Sequence, residues 1–105
     1  MYTPLQVSLR GIAPSEALIR AIRDKTQKLE HFYDRIAACR VALTLNPGHP
    51  GQGNQLSAYV GVKLPGGAIE ATRAHDKNIY IALREAFDAA RRQLEDYARE
   101  KRAQP

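Results

Sequence analysis

At 105 residues and 44% hydrophobic, the chain can bury one compact core but not two self-supporting ones, so one domain is expected over 1–105, ordered from about 4 to 102. Sixteen Lys and Arg against 11 Asp and Glu give a net charge of +5, which favours a polyanionic partner such as nucleic acid. No run of about 18 apolar residues is present, which excludes a spanning helix; the first residues lack the segments of a secretion signal, and the lone Cys39 fits a reducing cytoplasm.

In chain order, Leu5 to Arg10 alternates apolar and polar, the period of a half-buried strand, and Gly11 to Pro14 ends it. Ser15 suits the N-cap of a helix over 15–32, in which Leu18, Ile22, Thr26, Leu29 and Tyr33 share one face. Ala37 to Leu45 reads as a second strand. Asn46 to Asn54, with two prolines and three glycines, reads as a mobile loop. Leu56 to Leu64 and Ala68 to Arg73 form a hairpin about Pro65-Gly66-Gly67. That turn is no phosphate-cradling loop, because it lacks a following Lys-Ser/Thr and opens no helix. Lys77 to Arg102 reads as a long helix with Ile79, Leu83, Phe87, Ala90, Leu94 and Tyr97 as its core stripe. The order β-α-β-β-β-α predicts an α+β two-layer sandwich, a four-stranded sheet with both helices on one face.

The basic residues are the main candidates for a site. Lys77, Arg84 and Arg91 stand seven residues apart and should form one stripe, with Arg102 near its end and Arg92 and Arg99 in a second row. Arg20, Arg23, Lys25 and Lys28 decorate the first helix. Glu85, Asp88, Glu95, Asp96 and Glu100 interrupt the last one, and Asp88–Arg92 and Glu95–Arg99 have the favourable order for ion pairs. Charge alone therefore favours a solvated, mixed surface. With Trp absent and aromatics at 7%, RNA contact would rest on phosphates and shape more than on stacked bases. His31, His49 and His75 lack metal-ligand spacing, Cys39 lies in a strand, and Asp34, Glu70 and Asp76 show no acid–base pairing. No catalytic residue, metal, cofactor or small-molecule substrate is expected.

Several local features occur together in order. Lys25-Thr26-Gln27-Lys28-Leu29-Glu30-His31-Phe32-Tyr33-Asp34-Arg35-Ile36 resembles K-x-x-K-L-E-x-(aromatic)-(aromatic)-D-R-I of the bacterial ribosome hibernation-promoting factor family, also called ribosomal subunit interface proteins. Leu64-Pro65-Gly66-Gly67-Ala68-Ile69-Glu70-Ala71 is similar to that family's P-G-G hairpin, Asn78-Ile79-Tyr80-Ile81-Ala82-Leu83 to its D-M-Y-x-A-I, and Arg92-Gln93-Leu94 to its R-Q-L. The resemblance implies a shape like a double-stranded RNA-binding domain. It also implies a translation inhibitor that occupies the messenger and transfer RNA channel of the small ribosomal subunit near the decoding centre, binding its rRNA. Arg10, Lys25, Lys28 and Arg92 match basic positions of the family; Arg20, Arg23, Arg84, Arg91 and Arg99 join them by the stripe argument. The chain departs from the pattern at Ile19, Ala89 and Glu95-Asp96-Tyr97-Ala98, and Lys77-Asn78 looks like a small expansion. Its end soon after the helix suggests a short, monomeric, cytoplasmic form without a membrane partner. The alternative is a protein–protein module of the same fold without ribosome binding.

Overall fold

The alternation read in the strands becomes a sheet with two unlike faces. The computed structural model describes residues 3–48, 53, 55–75 and 77–103, which form β1 (Leu5–Arg10), α1 (Glu16–Phe32), β2 (Ala38–Asn46), β3 (Gln55–Leu64), β4 (Gly67–His75) and α2 (Ile79–Ala103). The strands lie in the order β1-β2-β3-β4. β1 and β2 are parallel, Val7 opposite Val41, and a parallel pair needs a long crossover, which α1 supplies. β2–β3 and β3–β4 are antiparallel, so Val41 faces Val60 and Val60 faces Ala71 across the sheet. Every second residue therefore points to one side, and there Val41, Leu43, Val60 and Val62 are almost wholly buried.

Both helices cover that side. α1 contributes Leu18, Ile22 and Leu29, and α2 contributes Leu83, Phe87, Ala90 and Leu94 to the same core. Ala82, Ala86 and Ala89 are buried too. These small side chains widen the expected apolar stripe and let α2 lie close on β3 and β4. The α+β sandwich with a β-α-β-β-β-α order is as the sequence predicts. The mixed sheet, with β1 parallel to β2, is the detail that periodicity does not reveal.

Element ends follow local hydrogen bonding. The Ser15 Oγ accepts from the Leu18 N–H at 3.1 Å, so Ser15 caps α1 and the helix proper starts at Glu16. Asn78 Oδ1 accepts from the N–H groups of Tyr80 at 2.9 Å and Ile81 at 3.4 Å, and His75 Nδ1 accepts from those of Lys77 and Asn78, both at 3.1 Å. These caps set the start of α2 at Ile79, two residues later than expected, and leave Lys77 before the helix. Lys77 therefore drops out of the stripe, which begins at Arg84. Asn46 and Gln55 belong to strands, which shortens the expected loop; His49 to Gln52 and Asn54 lie outside the described residues.

At the hairpin Leu64 pairs with Gly67 around Pro65 and Gly66. Gly66 has φ +80°, the positive value that a type II turn requires at this position, and Pro65 before it presets the φ that the turn favours. The Tyr97 hydroxyl donates to the Pro65 carbonyl at 2.7 Å, tying the last third of α2 to this turn. Tyr97 also meets Tyr33 edge to face at 6.2 Å, so the two helices are locked near their C-terminal ends.

Cys39 is 2% exposed on β2, and burial pushes its thiol up to about 11 from an ordinary 9.0. The unfolded thiol ionises first as pH rises, so the folded state loses stability between about 9 and 11 and gains nothing below that window. A thiol reagent at about pH 8 is expected to label the native chain far more slowly than the chain in denaturant. Equal rates in the two conditions would contradict the burial of Cys39.

Candidate nucleic-acid interface

α1 and α2 lie side by side and point the same way: Leu29 shares a cleft with Phe87, and further along both helices Tyr33 meets Tyr97. That cleft, about 200 Å³, is lined by Lys25, Lys28 and Leu29 of α1 and by Phe87, Asp88 and Arg91 of α2. Leu29 and Phe87 are core residues, so they form an apolar floor from which the cationic stems rise. Neither lysine has an ion-pair partner among the described residues. Arg91 donates to Glu95 at 3.1 Å through one guanidinium nitrogen, leaving its others free to grip an anion. Arg84, exposed and seven residues before Arg91, stands on the same flank about 10 Å back along the axis.

The other expected residues do not join this groove. Arg23 and Lys25 are two residues apart, about 200° of helical rotation, so they leave α1 on opposite flanks. Arg20 and Arg23 instead border a separate outer surface with Glu16, Asp24 and Gln27. Arg92 and Arg99 are exposed on α2, turned about 80–100° away from Arg91. Arg10 ends β1 with its side chain on the face of the sheet opposite the helices. The nine expected residues thus fall on several surfaces, and of them Lys25, Lys28 and Arg91 line the cleft between the helices.

The acidic residues of α2 pair differently from the sequence-based expectation. Glu95 binds Arg91 instead of Arg99, and Arg99 lies 3.6 Å from Asp96. The Arg99 and Asp96 side chains are 72% and 68% exposed, so their ion pair adds little in water. Glu95 and the cleft-lining Asp88 thus lower the charge of the flank towards α1, where three cations still stand against them, while Asp96 offsets Arg99 on the outer side.

Two further basic groups form that the spacing of the sequence does not bring together. Arg35 joins Arg99, Lys101 and Arg102 around a hollow of about 640 Å³ beside Phe32, at the C-terminal ends of both helices. There Arg102 donates to the Ala98 carbonyl at 3.3 Å and Lys101 sits 5.6 Å above the Tyr97 ring, positions that also suit the negative end of the helix dipole. Arg40 and Lys63 stand on the open face of the sheet with Arg10. Strand alternation, carried across the register, is the signal that would have found them.

His31 lies in the last turn of α1 and His75 ends β4, while His49 lies outside the described residues. Among the described residues no three His, Cys, Asp or Glu side chains form a group able to hold a metal, and no helix is long and apolar enough to cross a membrane.

Comparison with known proteins gives this geometry a context. The sequence pattern of the Sigma 54 modulation protein / S30EA ribosomal protein family matches residues 5–102. A ribosome hibernation promotion factor of Deinococcus radiodurans is 28% identical over 92 residues, which cover 88% of this chain and 47% of that protein. The chain thus spans about half the length of that curated relative. A ribosomal subunit interface protein from Coxiella burnetii has the same fold, with a TM-score of 0.78 at 22% identity over 91% of this chain and 98% of that one. The N-terminal domain of Thermus thermophilus Protein Y superposes with a TM-score of 0.66 at 21% identity, covering 92% and 99% of the two chains.

Proposed function

The chain belongs to the Sigma 54 modulation protein / S30EA ribosomal protein family, and from that premise we propose that it is a ribosome hibernation factor that binds small-subunit rRNA. The observation that carries this reading is the cleft in which Lys25 and Lys28 converge with Arg91, two of the three without an acidic partner among the described residues. Three cations against the single cleft-lining carboxylate Asp88, over an apolar floor, suit a phosphate backbone, each cation releasing counterions as it engages. Arg84 extends the row by one further contact on the same flank. The site is the channel for messenger and transfer RNA near the decoding centre, and the ligands it excludes are those two RNAs. Occupancy is the whole mechanism: no bond is made or broken, no cofactor takes part, and the setting is the cytoplasm.

The test is sedimentation of the purified chain with small ribosomal subunits through sucrose gradients at about 50 and 200 mM salt. Co-migration at the lower salt, weakening at the higher, is the expected result. Free protein at the top of the gradient at both salts would overturn the reading. A homodimer that covers α2 and ignores ribosomes would make the chain a protein-interaction module instead.

A further inference from the structure

The face of the sheet turned away from the helices carries a second concentration of positive charge. Arg10, Arg40 and Lys63 project from it against a single carboxylate, Glu70. None of the three cations has an ion pair among the described residues, and the Glu70 carboxylate accepts a hydrogen bond from the Tyr59 hydroxyl at 2.9 Å. Arg40 and Lys63 are diagonal neighbours on adjacent strands, a separation of about 7–8 Å.

Tyr59 gives this face a centre. Gly61, two residues on along the same side of β3, lies between Arg40 and Glu70 in the register. A Cβ at Gly61 would come 2.5 Å from the Tyr59 hydroxyl oxygen and 3.0 Å from Cζ, so the ring reclines where a side chain would otherwise stand. Beside it is a shallow depression of about 480 Å³, bordered by Tyr59, Arg40, Lys63 and Glu70. The rest of the outward-facing positions are small or uncharged, with no Leu, Ile, Val or Phe among them. Pro4, Ala38 and Ala68 also line the depression, but a protein interface is anchored by large apolar or aromatic side chains, of which this face offers only Tyr59. A threefold excess of unpaired cations around one flat ring matches a polyanion that also offers stackable bases.

We propose that the open sheet face is a second RNA-contact surface, with phosphates on Arg40 and Lys63, Arg10 at its far end, and one unpaired base on the Tyr59 ring. The domain is then gripped between two RNA segments, one on each layer. This rests on the reading of the chain as an rRNA-binding factor, and it assigns the family-matching Arg10 to a different surface from Lys25 and Lys28.

The experiment measures binding of the full chain to protein-free small-subunit rRNA and to intact small subunits over a salt series. The sheet variant Arg40→Glu/Lys63→Glu is expected to bind at least about tenfold more weakly, with a log–log salt slope shallower by about 1.4–1.8. Tyr59→Leu, which leaves the charge alone, should weaken binding by about tenfold. Because the chain has no Trp, Tyr59→Trp provides a single reporter whose emission should change saturably with rRNA. Thermal melts monitored by circular dichroism check that each variant is folded, and Gly61→Ser offers a second way to displace the ring. If the charge variant and Tyr59→Leu bind rRNA like the unmodified chain while Lys25→Glu/Lys28→Glu does not, the sheet surface is overturned and the groove stands. If Lys25→Glu/Lys28→Glu binds normally and the sheet variants do not, the groove fails and the open face is the RNA site. An emission change with intact subunits but none with protein-free rRNA would place a ribosomal protein on this face and overturn the inference.

Discussion

Replacing Lys25, Lys28 and Arg91 together by glutamate is expected to lower affinity for small ribosomal subunits by about 100-fold or more at low salt, without unfolding the chain. Each charged hydrogen bond to phosphate is worth about 1.5–3 kcal/mol, and contacts to one ligand are not additive, so the estimate sits below the simple sum. Reversal also adds repulsion, because the glutamate introduced by Arg91→Glu would stand one turn from Glu95, with which Arg91 now pairs. The three side chains rise from the rim of the groove and the floor stays Leu29 and Phe87, so stability should change by no more than about 0.5 kcal/mol per site. The control is Arg20→Glu/Arg23→Glu, equal in sign but on the opposite flank of α1. A groove-centred site predicts a loss of only a few fold for that control, read from the same titration. Losses in proportion to the charges reversed, two in the control against three in the groove variant, would mean that net charge, and not the groove, drives binding.

How far the sequence leads depends on which geometry a feature needs. Strand and helix periods are local, so the alternation of Leu5 to Arg10 and the stripe from Leu18 to Tyr33 were legible directly, as was the Ser15 cap. The start of α2 was not, because it is set by Asn78 and by a histidine of the preceding strand, His75, whose ring accepts two backbone N–H groups. The groove was half legible. Seven-residue spacing puts Arg84 and Arg91 on one flank, but that Lys25 and Lys28 face them depends on which flank of α1 meets α2, a tertiary fact. The same limit explains Arg10: its match to the family pattern is one-dimensional, whereas its side of the sheet depends on pairing with β2. Arg40 and Lys63 were passed over because a single cation in a strand looks like ordinary outward polarity until the register lines three strands up.

The second large effect concerns stability. Leu94→Ala is expected to cost about 2–5 kcal/mol, lowering the melting temperature by roughly 10–30 °C. Leu94 is fully buried, and it lies one turn before Tyr97, which ties α2 to the β3–β4 turn and to Tyr33. Removing it leaves a cavity between helix and sheet that Ala90, one turn before it in the same core, is too small to fill. Total stability of a domain this size is about 5–15 kcal/mol, so a visible unfolded fraction near about 37 °C is expected. Leu94→Met keeps the volume and should cost under about 1.5 kcal/mol. Urea unfolding followed by far-UV circular dichroism reads both; a Leu94→Ala midpoint equal to that of the unmodified chain would mean the α2–sheet packing is wrong. The variant also separates stability from contact. Leu94 faces the core and touches no proposed RNA surface, so below its melting temperature Leu94→Ala should bind subunits as tightly as the unmodified chain, whereas the groove variant fails at every temperature.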